Sequence, residues 1–204
     1  PTATPSPIPT VEPLPAGFNV VVAGFGYAEL AGEAVIANIA GDNVSDIIFS
    51  QIKEVTGIDY LLGWRDGRVG RLLADTAEGR KALAEQLASA LNADVVIYGV
   101  VTAKGLNQLI APEFHLSAAF ASVEPDLEGS DSGRLGGPIE VLRDSDDALG
   151  AAGTVLGNRL QAVRGFLRGL SLYLNGDHRA AQTAFESALS ADPSLEPLYI
   201  NAGN

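Results

Sequence analysis

Two apolar runs constrain this chain more than any other feature: "FNVVVAGF", beginning at Phe18, and "ADVVIYGVV", ending at Val101. Both are rich in β-branched residues, and neither alternates with polar ones. Runs of this kind read as strands covered on both faces, here Phe18 to Ala23 and Asp94 to Val101. Such strands need helices above and below, and the neighbouring segments supply them. From Gly41 onward, Val44, Ile47, Ile48, Ile52 and Val55 share one helical face, with Asp42 or Asn43 as cap and Gly57 as stop. Leu83, Leu87, Ala90 and Leu91 make a second stripe, opened by Asp75 and Glu78 at capping-box spacing. Asn92 takes the left-handed position at its end. "EFHLSAAFASV" then alternates as a hairpin partner of the preceding strand. Phe114, Leu116, Ala118 and Phe120 face one way; Glu113, His115 and Ser117 form a wetter face. The expected fold is α/β (or α+β), with a small mixed sheet in an amino-terminal domain over residues 17–123.

Charge and composition narrow the function. A net charge of −12 repels phosphate backbones and anionic lipid, so neither nucleic acid nor a membrane surface is an expected partner. There is no cysteine, which excludes thiolate chemistry and disulfides, and two histidines are too few for a multi-histidine metal centre. No apolar run reaches the roughly 18 residues of a membrane span. No cofactor and no metal are expected. Methionine is also lacking, so the chain reads as a fragment or processed product.

The flanks differ in character from this domain. Residues 1–16 open with "PTATPSPIPTVEPLP", a Pro/Thr-rich linker that favours extended polyproline II and is expected to be dispensable for stability. It resembles the spacers that join a membrane anchor to an external domain in bacterial surface proteins. Residues 124–145 form an acidic, Gly-rich loop and connector, with a short segment around Ile139 to Leu142. Residues 146–204 are helical: Leu156, Leu160, Val163, Leu167, Leu170 and Leu174 trace one long amphipathic face.

The end of the chain carries the most specific pattern. In "GLSLYLNGDHRAAQTAFESALSADPS", Gly169 marks a close helix approach and "NGD" a turn. Ala181, Phe185 and Ala188 follow as small, large, small on the next helix, and Pro193 ends it. This resembles the tetratricopeptide repeat, a helix–turn–helix unit of about 34 residues. Leu172 stands where the family often has tyrosine, Arg168 replaces the leucine before the glycine, and Gly165 lies where an aromatic is usual. In "EPLYINAGN", Tyr199 and Gly203 look like the start of a second copy, Gly203 lying 34 residues after Gly169. The resemblance implies protein or peptide binding by the repeats, and an array continuing past Asn204.

Gly24, Phe25 and Gly26 after the first strand invite a dinucleotide reading, G-x-G-x-x-G/A. Glu29 occupies the third small position, where a carboxylate would oppose the pyrophosphate, and a helical period follows where a second strand belongs. The order of strand, helices and second apolar strand, through "FNVVVAGF" and "LNADVVIYGVV", instead resembles the amino-terminal domain of the TolB translocation protein and related bacterial envelope domains. That resemblance implies an extracytoplasmic, anchor-tethered interaction module of the cell envelope rather than an enzyme.

Other chemistry reads as structural. "DSDD", Asp144 to Asp147, lacks the later ligands of a calcium loop and suits a helix start. Glu113, His115 and Ser117 share a strand face at about 6–7 Å spacing, too far for a relay. Trp64, Arg65 and Arg68 in "GWRDGR" are the expected aromatic–basic contact surface, a loop tryptophan covering the core being the alternative. The leading expectation is a non-enzymatic extracytoplasmic adaptor. The alternatives are a ligand-binding sensory domain, with a pocket near Gly24 and Gly99, and a nucleotide-dependent enzyme using Gly24 and Gly26.

Overall fold

The structure is a computed structural model that describes residues 12–118, 132–142 and 153–193. The linker before Glu12, Phe120, the "DSDD" stretch, the expected helix start at 146–151, Tyr199 and Gly203 lie outside the described residues.

One mixed sheet organises the chain. It contains β1 (Asn19–Val22), β2 (Gly26–Ala28), β3 (Tyr60–Gly63), β4 (Val95–Lys104), β5 (Asn107–Leu116), β6 (Ser132–Arg134) and β7 (Ile139–Leu142). The order is β3-β1-β4-β5-β6, with β2 also on β4 and β7 also on β5. The first four strands are mutually parallel; β5 runs antiparallel to β4, and β6 and β7 antiparallel to β5. β6 falls within the stretch read as a loop: Ser132 pairs with His115, and Leu135 just after it is buried. That stretch is too short and Gly-rich to show a strand period.

Among the described residues, four helices cover the sheet: α1 (Ile39–Ile52), α2 (Ala77–Leu91), α3 (Gly153–Leu174) and α4 (His178–Ala191). Val20 and Val22 of β1 point into a core shared with α1, α3 and α4. Val21 and Ala23 point into a second core under α2. The period-two split explains why the first run has no polar alternation. The helical hairpin α3–α4 packs through Leu160, Val163, Leu167 and Leu170 into the same core as the sheet.

Local chemistry sets the boundaries. The cap of α1 is Asn38, whose side chain accepts from the Ala40 N–H at 2.9 Å, so the helix starts ahead of the expected Asp42 or Asn43. Asp42 sits in its first turn, where a carboxylate suits the dipole. Thr76 caps α2 by accepting from Gly79 N–H at 3.0 Å. Asp75, the expected cap, instead accepts from Val35 N–H at 2.8 Å. Asn92 does close α2 in the left-handed conformation, with φ of 54°.

The described end of the linker is bound to the domain. Leu14 is only 6% exposed, and its N–H donates to Leu91 O at 2.8 Å. The Pro15 carbonyl accepts from the Asn19 side chain at 2.9 Å. The expectation that residues 1–15 are dispensable therefore fails at Leu14, because an apolar residue beside the open end of α2 finds both burial and a carbonyl acceptor. Leu14→Ala should cost about 1.5–3 kcal/mol, read as a lowered midpoint in thermal denaturation. An unchanged midpoint would show that the contact contributes nothing.

Candidate functional site

The Gly24–Gly26 turn lies at the carboxyl end of β1, where the connections to β3 and β4 diverge to opposite sides. In open α/β sheets that divergence leaves a crevice for ligands. Here the chain itself fills it. After β1 the backbone steps over Phe25, which is fully buried, and continues along β4 as β2. A Cβ at Gly99 would stand 2.5 Å from the Phe25 ring, and one at Gly24 would stand 2.4 Å from Arg71 Cγ. Gly41 of α1 meets the Phe25 carbonyl so closely that a Cβ would lie 2.4 Å from its oxygen. The glycines thus serve close packing of a strand, a loop and a helix. Glu29 accepts a hydrogen bond from the Tyr27 hydroxyl at 2.7 Å.

The "GWRDGR" loop does not assemble as a basic patch. The Trp64 indole N–H donates to Asp46 Oδ1 at 2.9 Å. Arg65 donates to the same carboxylate, its Nη2 reaching Oδ2 at 2.7 Å. Arg71, which spacing did not single out, donates to both oxygens of Asp42 at 2.8 and 2.9 Å. The guanidinium carbons of Arg65 and Arg71 lie 4.3 and 4.5 Å from the Trp64 ring centroid. Arg68 turns away to Asp66, whose carboxyl its hydrogen bonds hold down at about 2. Hydrogen bonding from Arg65 likewise lowers the Asp46 pKa, against the opposing effect of burial. Each arginine is matched by a carboxylate, so the cluster is charge-balanced and fastens α1 to the loop after β3. Asp42 and Asp46 stand one helical turn apart, a spacing visible in the sequence; their partners lie 18 to 29 residues away.

The expected wetter face of β5 is buried. Glu113 is 6% exposed by side chain and forms a two-point pair with Arg80 of α2, itself 7% exposed. The distances are 2.6 and 2.9 Å, and Arg80 also donates to Ala74 O at 3.1 Å. Pairing with Glu113 raises the Arg80 pKa above its ordinary value. His115 is buried on the same face, and Ser117 N–H donates to Asp94 O at 2.9 Å. A cleft of about 160 Å³ opens beside the pair, lined by Lys81, Tyr98, Ser132 and Arg134 among others. Among the described residues, no group of three or more His, Asp or Glu side chains is placed to hold a metal ion.

The helical hairpin brings several of the singled-out residues together. A Cβ at Gly169 would stand 2.3 Å from the Phe185 ring, and one at Gly165 would stand 2.8 Å from Ala188 Cβ. The close partner of Gly169 is therefore Phe185 rather than Ala181. Phe166 adds an aromatic contact to Phe185, with centroids 5.9 Å apart. Ala181, Phe185 and Ala188 are buried in one stripe; Leu172 packs half-buried against the core, and Pro193 is exposed beyond the helix end. Asp177 caps α4 by accepting from Ala180 N–H at 3.1 Å. Two anchors escaped the sequence reading. Ser171 Oγ donates to Gly57 O at 2.7 Å, and Arg159 donates to the carbonyls of Leu135 and Gly137 and to Asp192.

Ala181→Leu should cost roughly 1–3 kcal/mol by overpacking, whereas Gln182→Leu, on the exposed side, should be nearly neutral. Hydrogen exchange should place the loosening in α3–α4. Equal stability of the two variants would show that the buried stripe is misassigned.

No helix among the described residues is long and apolar enough to cross a membrane. No protein-family model, no curated protein and no solved structure matches this chain.

Proposed function

We propose that this chain is a non-enzymatic, extracytoplasmic protein-interaction module, in which the α/β portion presents a tetratricopeptide-type hairpin to a protein or peptide partner. The observation that carries the reading is the α3–α4 interface. Gly165 and Gly169 meet Ala188 and Phe185 at close range, the small-against-large packing that such repeats use. One side of α4 is thereby buried, while His178, Arg179, Gln182, Thr183, Glu186 and Ser187 remain exposed. The Pro/Thr-rich start accords with an envelope location. The packing of Phe25 and Arg71 around Gly24 and Gly99 counts against the nucleotide alternative. The space near Gly24 and Gly99 that a sensory role would use for its ligand is taken by the Phe25 ring.

The test pairs two measurements. Immobilised protein should retain a defined partner from an envelope extract. A variant carrying Gln182→Arg and Ser187→Arg, both at exposed positions, should lose that partner with its fold intact by circular dichroism. Calorimetry with NAD, ATP and GTP should give no micromolar binding. Equal retention by both proteins, or tight nucleotide binding, would overturn the adaptor reading.

A further inference from the structure

Strand β3 is the edge of the sheet: among the described residues it pairs with β1 alone. Protein edges are ordinarily guarded by lysine, proline, a bulge or a covering segment. The strand Tyr60-Leu61-Leu62-Gly63 carries none of the first three. It runs beside an open groove of about 390 Å³ lined by Phe49, Leu61, Leu62 and Trp64.

The backbone sets which groups face outward. Ala23 N–H donates to Ile97 O of β4 at 2.8 Å, so alternate residues Val20 and Val22 turn their backbone groups to β3. Val20 lies opposite Leu61 and Val22 opposite Gly63. In a parallel pair the bonded groups flank the opposed residue, so Val20 and Val22 engage Tyr60 and Leu62 and the residue after Gly63. Leu61 and Gly63 present theirs at the edge.

We propose that two copies of this chain join antiparallel through their β3 edges, with Leu62 on the two-fold axis, making one continuous sheet. In this register Leu61 bonds Gly63 of the second copy, and both symmetric pairs use the outward-facing groups. Registers shifted by one residue would set inward-facing groups against outward ones. The centred register also sets Tyr60 opposite the second copy's Trp64. Shifting by two would set Gly63 against Asp59, whose N–H already donates to Phe18 O at 2.9 Å, or Leu61 against Arg65, beyond the strand.

Charge favours this surface over others. Two chains of net charge −12 repel at most contacts. Beside β3, however, Asp42, Asp46 and Asp66 are each neutralised by an arginine. The carboxylates beside the groove are therefore ion-paired, while Asp59, just before the strand, accepts from its own Phe18 N–H. Five paired residues per copy, Tyr60 to Trp64, make a small interface, so the dimer is weak and concentration-dependent. The proposal does not rest on the adaptor reading.

Sedimentation equilibrium from low to several hundred micromolar should show a monomer–dimer equilibrium. Tyr60→Lys, at a residue 40% exposed, should weaken it by roughly tenfold or more with unchanged thermal midpoint. Register is read separately on the cysteine-free background. Opposed residues in a non-hydrogen-bonded pair lie about 4.5 Å apart at Cα, within the span of a disulfide. Leu62→Cys should cross-link under mild oxidation, two thiols giving one disulfide, while Tyr60→Cys should not. A monomer at every concentration, or cross-linking at position 60 as readily as at 62, would overturn the proposal.

Discussion

Replacing Arg80 by methionine should remove about 3–5 kcal/mol of stability, because the Glu113 carboxylate would remain buried without its partner. For a chain of this size the thermal midpoint should fall by roughly 10 °C. The loss comes from the orphaned charge and not from the intrinsic worth of the pair. A second variant, Arg80→Met with Glu113→Leu, should therefore recover most of it. Thermal denaturation of the two proteins side by side decides the point. If the single variant were as stable as the parent, or the double variant no better than the single, the pair would not be the desolvated contact that its 7% and 6% exposures indicate.

Phe185→Ala should cost about 3–5 kcal/mol, the range for emptying a buried phenylalanine site. The ring fills the space above Gly169, and that makes a sharper test available. Gly169→Ala in the parent should destabilise, since its new Cβ would meet the ring at 2.3 Å. In the Phe185→Ala background the same change should turn favourable, by up to about 1 kcal/mol, as alanine replaces glycine within a helix. A double-mutant cycle by denaturant unfolding would measure the reversal. Additive effects would mean that the two residues do not touch.

Strands β1, β4 and β5 and the helix faces were readable in the sequence because they are repeating signals, whereas β2 and β3 were not: three- and four-residue strands are too short to show a period, and a strand parallel to β1 does follow α1 where none was expected. β1 and β4 announce themselves by unbroken β-branched runs, and the stripe of Ala181, Phe185 and Ala188 by its helical spacing. Asn92 was readable for a different reason, since few residues other than glycine tolerate the left-handed position. The caps of α1 and α2 were misplaced by small steps. Asp75 and Thr76 are adjacent and equally able, and the choice is made by Val35, which draws Asp75 away. At α1 the first residue, Ile39, is exposed, so the apolar pattern starts a turn later than the helix.

What the sequence hid were pairings between distant polar residues. Alternation along β5 showed that Glu113 and His115 share a face but not that α2 covers it. Arg80 lies 33 positions earlier, on a helix whose apolar stripe gives no hint of a buried cation. The Trp64 cluster shows the same blindness: Arg68 was singled out and Arg71 was not, yet it is Arg71 that the position of Asp42 on α1 draws to the Trp64 ring. Leu14 was lost among prolines for the complementary reason, a single apolar residue having no period.

The two fastenings of α3 have a mechanical consequence. Ser171 is tied to the loop after α1, and Arg159, twelve residues earlier on the same helix, to the carbonyls between β6 and β7. The separation along the axis is about 18 Å. A helix held at one point swivels, whereas one held at two such points resists torque. Any load applied to the outer side of α4 is passed through α3 into both ends of the sheet, so that a pull on the hairpin becomes a pull on the whole body.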